Sequence, residues 1–243
     1  MASFRIRHTS KRAFFLGFPG SVELSTRGLG LVVMSFLVAS FGTLTTAAYG
    51  VGSTVLQVVM IPAMGLSMAV STLVGQNIGA GNIQRASRIA LLGTALGFGV
   101  LTLVGTVAFL LAPYIVAFFV PRDADVIAEG SRFIRIMCLA WGGMGIQLCV
   151  VAAFRASGNM LMAMVIALVS QWMIQFPLAY VLSKHSVLHS DGLWWSFPVT
   201  NILVALVSLG WFARGSWKTR RLTEEDREVA KVTEEAIIEE GLR

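Results

Sequence analysis

The sequence predicts an all-α membrane protein of six transmembrane helices, with both chain ends on the cytoplasmic side. Three observations carry that expectation. Of the 243 residues 56% are hydrophobic and 13% charged, against about 25% charged in soluble domains, and mean hydropathy is +0.74. Apolar runs of about 20 residues or more recur along the chain, each long enough to cross a bilayer. Lysines and arginines gather at alternate ends of those runs, as orientation in a membrane requires.

Residues 1–12, with Arg5, Arg7, Lys11 and Arg12, read as a cytoplasmic approach without a small-residue cleavage site. The first crossing is expected from Phe14 to Ala47, with an outer turn at Gly50 and Gly52. The second is expected over Val51 to Ile78, with Pro62 inside, and the third over Ile89 to Ala112, closing at Pro113. An outer segment carries Pro121, Arg122, Asp123, Asp125 and Glu129. The fourth crossing is expected over Phe133 to Phe154, and an inner glycine turn follows at Arg155, Gly158 and Asn159. The fifth is expected over Met160 to Leu182 and the sixth over Leu193 to Ala213. Between them lies a polar outer loop with Lys184, His185, His189 and Asp191. Trp194 and Trp195 open the sixth as an interfacial aromatic pair.

Charge placement orients the set. Eleven basic residues (Arg5, Arg7, Lys11, Arg12, Arg85, Arg88, Arg155, Arg214, Lys218, Arg220 and Arg221) fall on one side of this topology. Four (Arg122, Arg132, Arg135 and Lys184) fall on the other. The richer side is the cytoplasmic one. The net charge of +6 is uneven: residues 1–222 hold 16 basic and 5 acidic residues, and 223–243 hold 3 and 8. The basic excess sits at span ends, which removes any need for a nucleic-acid partner; the bilayer is the partner expected. Three regions follow: a cytoplasmic segment over 1–12, a six-helix unit over 13–218, and an acidic tail over 219–243. In the tail, Thr223 and Asp226 form a capping-box-like helix start.

One stretch punctuates the whole chain: Gly75, Gln76, Asn77, Gly79, Gly81 and Asn82, followed by Arg85 and Arg88. A glycine-rich turn before a helix can cradle phosphate, but the P-loop lysine and its preceding strand are absent. Between two apolar runs the same residues read as a tight cytoplasmic hinge whose glycines let helices approach closely. Cys138 and Cys149 share one apolar segment, where eleven residues of helix put them about 16 Å apart, so they are not expected to pair within the chain.

Polar groups in hydrocarbon are costly and therefore informative. Glu23 is the one acid set within a crossing, and Arg27 stands one turn on, in the favourable acid-first order. Glu23 is read either as a structural partner of Arg27 or as a site for a coupling proton or cation. Gln57, Gln147, Gln171, Gln175 and Asn201 lie in other crossings, as interhelical glue or as hydrogen-bonding groups of a common cavity. The 11 methionines suit an adaptable apolar wall. No nucleophile–base arrangement or zinc spacing appears, since His8, His185 and His189 fall in loops. No enzyme, metal site or cofactor is therefore expected.

In order along the chain stand LGFPGSVE, FGTLTTAAYGVG, LVGQNIGAGNIQRASRIA, FRASGN, the QW…PLAY pattern and DGLWWSFP. With this series the sequence resembles the C-terminal half of a multidrug and toxic compound extrusion (MATE) transporter, over nearly all of residues 10–218. The resemblance implies two six-helix lobes related by pseudo-symmetry, of which this chain is the second. It further implies proton- or sodium-coupled expulsion of organic, often cationic, compounds across the inner membrane by alternating access. The partners so implied are the organic substrate and an N-terminal lobe or a second copy of the chain. In one branch of the family, acids in the seventh and tenth helices serve the coupling cation. Glu23 lies on the counterpart of the first of these, nearer its beginning, and the counterpart of the second carries no acid. In another branch the coupling aspartate belongs to the first lobe. Two other readings are a non-transporting truncated product or membrane interaction module, and a flippase for lipids or lipid-linked precursors. The opening segment MASFRIRHTSKRAFFLGFPG reads like a link between lobes.

Overall fold

The computed structural model of the chain describes residues 2–185 and 190–214. Its elements are α1 (Ala2–Ala39), α2 (Thr43–Gly79), α3 (Ile83–Phe119), α4 (Ala124–Cys138) and α5 (Trp141–Ala156). They continue with α6 (Met160–Leu168), a π-helical stretch (Val169–Gln175), α7 (Phe176–Lys184) and α8 (Ser190–Ala213). Among the described residues five helical spans are long and apolar enough to cross a membrane, and α4 with α5 makes a sixth when taken as one span bent by 49°. The all-helical membrane fold expected from composition is the one observed.

Glycines set the centre of the bundle. Gly97 on α3 faces Gly145 on α5, and a Cβ on Gly97 would lie 2.9 Å from the Gly145 carbonyl oxygen. Helices in lipid gain little from the hydrophobic effect among themselves, so backbone approach of this kind supplies the dispersion contact that holds them. Around this crossing, α2, α3, α5, α6 and α8 bury Val74, Ala90, Val150, Phe154 and Ile166. Toward the opposite end α2, α3, α4 and α5 bury Leu101, Ala112, Ile134 and Trp141. A third cluster ties α1 to α4 and α8 through Val38, Phe133, Met137, Leu193 and Trp194. α1 stands at the side of the bundle, against α6 and α2.

Several boundaries differ from those expected. The first turn lies at Ser40–Gly42, not at Gly50 and Gly52, because Gly42 takes φ 104° with ψ 176°, a region essentially confined to glycine that costs other residues about 1–3 kcal/mol. Gly50 and Gly52 are inside α2, where a Cβ on Gly52 would overlap the Phe133 ring. α3 does not close at Pro113 but runs on to Phe119. A membrane helix tolerates the one N–H that proline lacks, because local adjustment and neighbouring groups take up the freed carbonyl. The fourth span begins at Ala124 rather than Phe133, because the Asp123 carboxylate accepts from the N–H groups of Asp125 and Val126, both at 3.1 Å. It then breaks at Leu139–Ala140, so Cys138 and Cys149 lie on two helices, both buried and unpaired. The fifth span holds a π stretch. Trp194 faces the bundle rather than its surroundings: it is fully buried, its ring centroid 4.2 Å from that of Phe133, and it donates to Glu129 Oε1 at 2.9 Å, while Trp195 is exposed. α1 runs unbroken across residue 12. Residues 215–243, where a tail helix is expected, and His189 lie outside the described residues.

Candidate functional site

Two turns at one end of the bundle share a construction. Gly81 and Gly158 have φ 77° and 79°. In each, the N–H of the next residue (Asn82, Asn159) reaches back to a helix carbonyl (Asn77, Phe154) at 2.8 and 3.0 Å. This pattern closes a helix C-terminus around a left-handed glycine, which explains the glycine in both loops. Gly75 lies where the two ends meet, and a Cβ there would make only ordinary contact with Ala156, 3.8 Å from its carbonyl oxygen and 3.9 Å from its Cβ. Gln76, Arg85 and Arg88 are exposed, and Asn77 donates to Leu73 O at 2.7 Å. None of Gly75, Gln76, Asn77, Gly79, Gly81, Asn82, Arg85 or Arg88 lines the cavity described next, nor do Gly158 and Asn159. The loop motif therefore builds the bundle end.

Between α1, α2, α5, the α6–π–α7 span and α8 lies a cavity of about 430 Å³. All seven intramembrane polar residues singled out from sequence, Glu23, Arg27, Gln57, Gln147, Gln171, Gln175 and Asn201, line it. Five helical segments that are far apart in the chain thus bring their polar groups to one space. Glu23 is 5% exposed. Its Oε1 accepts from Arg27 at 3.1 Å, as the acid-first spacing predicts, and from Arg155 at 2.5 Å. Sequence reading assigned Arg155 to the inner turn. The structure puts its guanidinium in the cavity wall, bridging α5 to α1 across 132 positions. The available signal was that Glu23, Arg27 and Arg155 all fall near the same end of their spans.

The neutral groups are held in place by local geometry. Asn201 donates to Phe197 O at 3.0 Å, one turn back on α8. The π stretch carries Gln171 and Gln175, and the Gln171 amide lies against Gly30 of α1 where a Cβ would collide with it. Ser67 donates to Leu148 O at 3.2 Å, bonding α2 to α5 beside the cavity. Met34, Met60, Met64, Met68 and Met144 supply an apolar wall, soft enough to fit varied shapes. Tyr49 and Phe197, with ring centroids 6.4 Å apart, stand toward the Ser40–Gly42 turn. The cavity is therefore polarised from an aromatic end to a charged one.

At the end of the bundle near that turn, Arg132 pairs with Asp191, and α4 is joined to α8 a second time through Glu129 and Trp194. Lys184 stands 4.7 Å over the Phe41 ring. His185 ends α7 with its ring 5.6 Å from that of Tyr180.

The MatE family profile matches residues 21–181, well over half of the chain. The chain belongs to the MatE family. This MatE protein is 27% identical over 208 residues to the probable multidrug resistance protein YoeA of Bacillus subtilis, covering 86% of this chain and 44% of that one. It is 28% identical over 207 residues to multidrug and toxin extrusion protein 1 of Oryctolagus cuniculus, covering 84% and 36%. Among solved structures, the Vibrio cholerae MATE transporter VcmN in its bent form superimposes with a TM-score of 0.78 at 18% identity, covering 88% of this chain and 48% of that one. At that identity the likeness establishes the fold. The chain spans about half the length of the curated relatives it matches.

Proposed function

We propose that this chain is one six-helix lobe, the second, of a cation-coupled antiporter that expels organic compounds by alternating access, and is not an enzyme. The observation that carries this reading is the convergence of seven intramembrane polar residues on one methionine-walled cavity. Isolated polar groups in hydrocarbon are expensive, and glue between neighbouring helices would not gather them around open space. Repeats rocking about a midplane site is the common logic of such carriers, and the family membership agrees with it. The chain sits in the inner membrane with both ends cytoplasmic, as the basic residues at span ends indicate. A proton or sodium ion drives the exchange, and an N-terminal lobe or a second copy completes the pathway.

The test is uptake of a panel of fluorescent organic compounds into inside-out vesicles from cells producing the chain, with an imposed proton or sodium gradient. Gradient-dependent accumulation that exceeds vesicles lacking the chain supports the proposal. Equal accumulation for every compound and both gradients, with the chain produced alone and joined to a first six-helix lobe, refutes it.

A further inference from the structure

The resemblance implies cationic cargo, but the charges around the cavity have the opposite bias. Among the described residues its lining holds one acid, Glu23, and two bases, Arg27 and Arg155. Glu23 is already engaged: one of its oxygens accepts from both guanidinium groups, and its side chain is 6% exposed. A cation entering the cavity would face a net positive charge and would have to compete with two tethered arginines for a carboxylate it can hardly reach.

The arginines are the accessible partners. Their side chains are 42% and 38% exposed, and both line the cavity. A guanidinium carries five N–H donors in a planar fork, and each of these bonds to Glu23 uses one nitrogen. The remaining donors have the geometry that pairs with carboxylate, sulfonate or phosphate oxygens. Glu23 has a clear physical role in this arrangement. It holds two long side chains side by side and offsets one of their charges, so that the pair can remain in an apolar span.

The rest of the cavity fixes the other half of the ligand. Arg155 is in the last turn of α5, beside the Ser157–Asn159 turn, so the charged group belongs at that end. Methionines fill the middle, and Tyr49 and Phe197 close the opposite end. Resting on the transport reading above, we propose that the cavity accepts amphiphilic organic monoanions, with the acidic group on Arg27 and Arg155 and the apolar body among the methionines and aromatic rings.

The test is a fluorescence-anisotropy titration of the full chain in lipid nanodiscs with three probes of one fluorophore. Dansylglycine is the anion, its methyl ester the neutral form, and dansylcadaverine the cation. Dansylglycine is expected to bind about tenfold or more tighter than dansylcadaverine, the worth of one charge-assisted hydrogen bond. Arg27→Gln and Arg155→Gln should each weaken dansylglycine about tenfold and leave the ester within about twofold. Arg155→Lys, which keeps the charge and loses the fork, should fall between. Glu23→Gln frees both arginines and should tighten dansylglycine, a result that a purely structural role for the pair does not predict. Tighter binding of dansylcadaverine, its loss in Glu23→Gln, or equal binding of all three probes overturns the monoanion proposal and leaves the transport reading standing. Binding of none of the probes by a chain that elutes as a single folded species overturns both.

Discussion

The helix crossing at Gly97 and Gly145 makes the sharpest demand on this fold, and Gly145→Ala tests it. A methyl group there would overlap the Gly97 carbonyl and lie 3.1 Å from Phe98 N. All three obstructing atoms belong to the backbone, so no rotamer change relieves the clash and α3 must move off α5. An opening of about 0.5–1 Å forfeits about a quarter to a half of each dispersion contact along the crossing, which agrees with the roughly 1–3 kcal/mol cost of overpacked cores. The gain in helix propensity from glycine to alanine, roughly 0.5–1 kcal/mol, opposes it. The expected net loss is therefore up to about 2.5 kcal/mol and centred near about 1 kcal/mol. Gly143 lies two residues earlier on the same helix, where a methyl would meet Ala205 Cβ at an ordinary 3.5 Å. Gly143→Ala should be neutral or stabilise by up to about 1 kcal/mol. Thermal unfolding of both variants in detergent micelles, followed by near-ultraviolet circular dichroism, separates them. Should Gly145→Ala melt with the parent, or Gly143→Ala fall as far, the close crossing of α3 and α5 is wrong.

Other substitutions probe the end of the bundle near the Ser40–Gly42 turn. Trp194→Ala removes a fully buried ring stacked on Phe133 and should cost about 3–5 kcal/mol in the same melt. Trp194→Phe keeps most of the packing but strips Glu129 of its donor, for about 1–3 kcal/mol. Asp123→Ala removes the acceptor for two N–H groups at the start of α4 and should cost about 1 kcal/mol, read as earlier hydrogen exchange at Asp125 and Val126. Arg132→Gln breaks the pair with Asp191, but Arg132 is 59% exposed. Its loss should stay under about 1 kcal/mol and shrink further in high salt, as screening of a surface pair requires.

The parts legible in sequence were those that hydrocarbon enforces. Apolar runs gave the spans, because a bilayer leaves the backbone no partner but itself. The seven polar residues were conspicuous for the same reason, and they proved to share one cavity. Features set by contact between distant residues could not be read. Glu23 announced its need for a partner, and Arg27 was visible at one turn's distance, but Arg155 lies 132 positions away. The first turn was misplaced because Gly42, Gly50 and Gly52 are alike on paper. Only the backbone distinguishes the glycine at φ 104° from one nested under Phe133. Trp194 followed the habit of interfacial tryptophans until Phe133 and Glu129 claimed both its face and its N–H. The break at Leu139–Ala140 carries no proline, glycine or polar residue at its centre, so nothing local marked it.

The π stretch at Val169–Gln175 gives the fifth span a thread that can slip. A π turn spends one more residue than an α turn and still bonds its backbone to itself, so lipid does not penalise it. Drawing that surplus residue back into α geometry would screw the helix beyond it by about 100° and advance it by about 1.5 Å. Residues 176–184 would then show the bundle a different set of side chains while 160–168 kept theirs. Phe176 would swing away from the methionines, and α8, whose Gly192 lies against the Leu182 carbonyl, would have to repack against the turned face. A wall built on such a helix can be rewritten by a single-residue shift along its own axis.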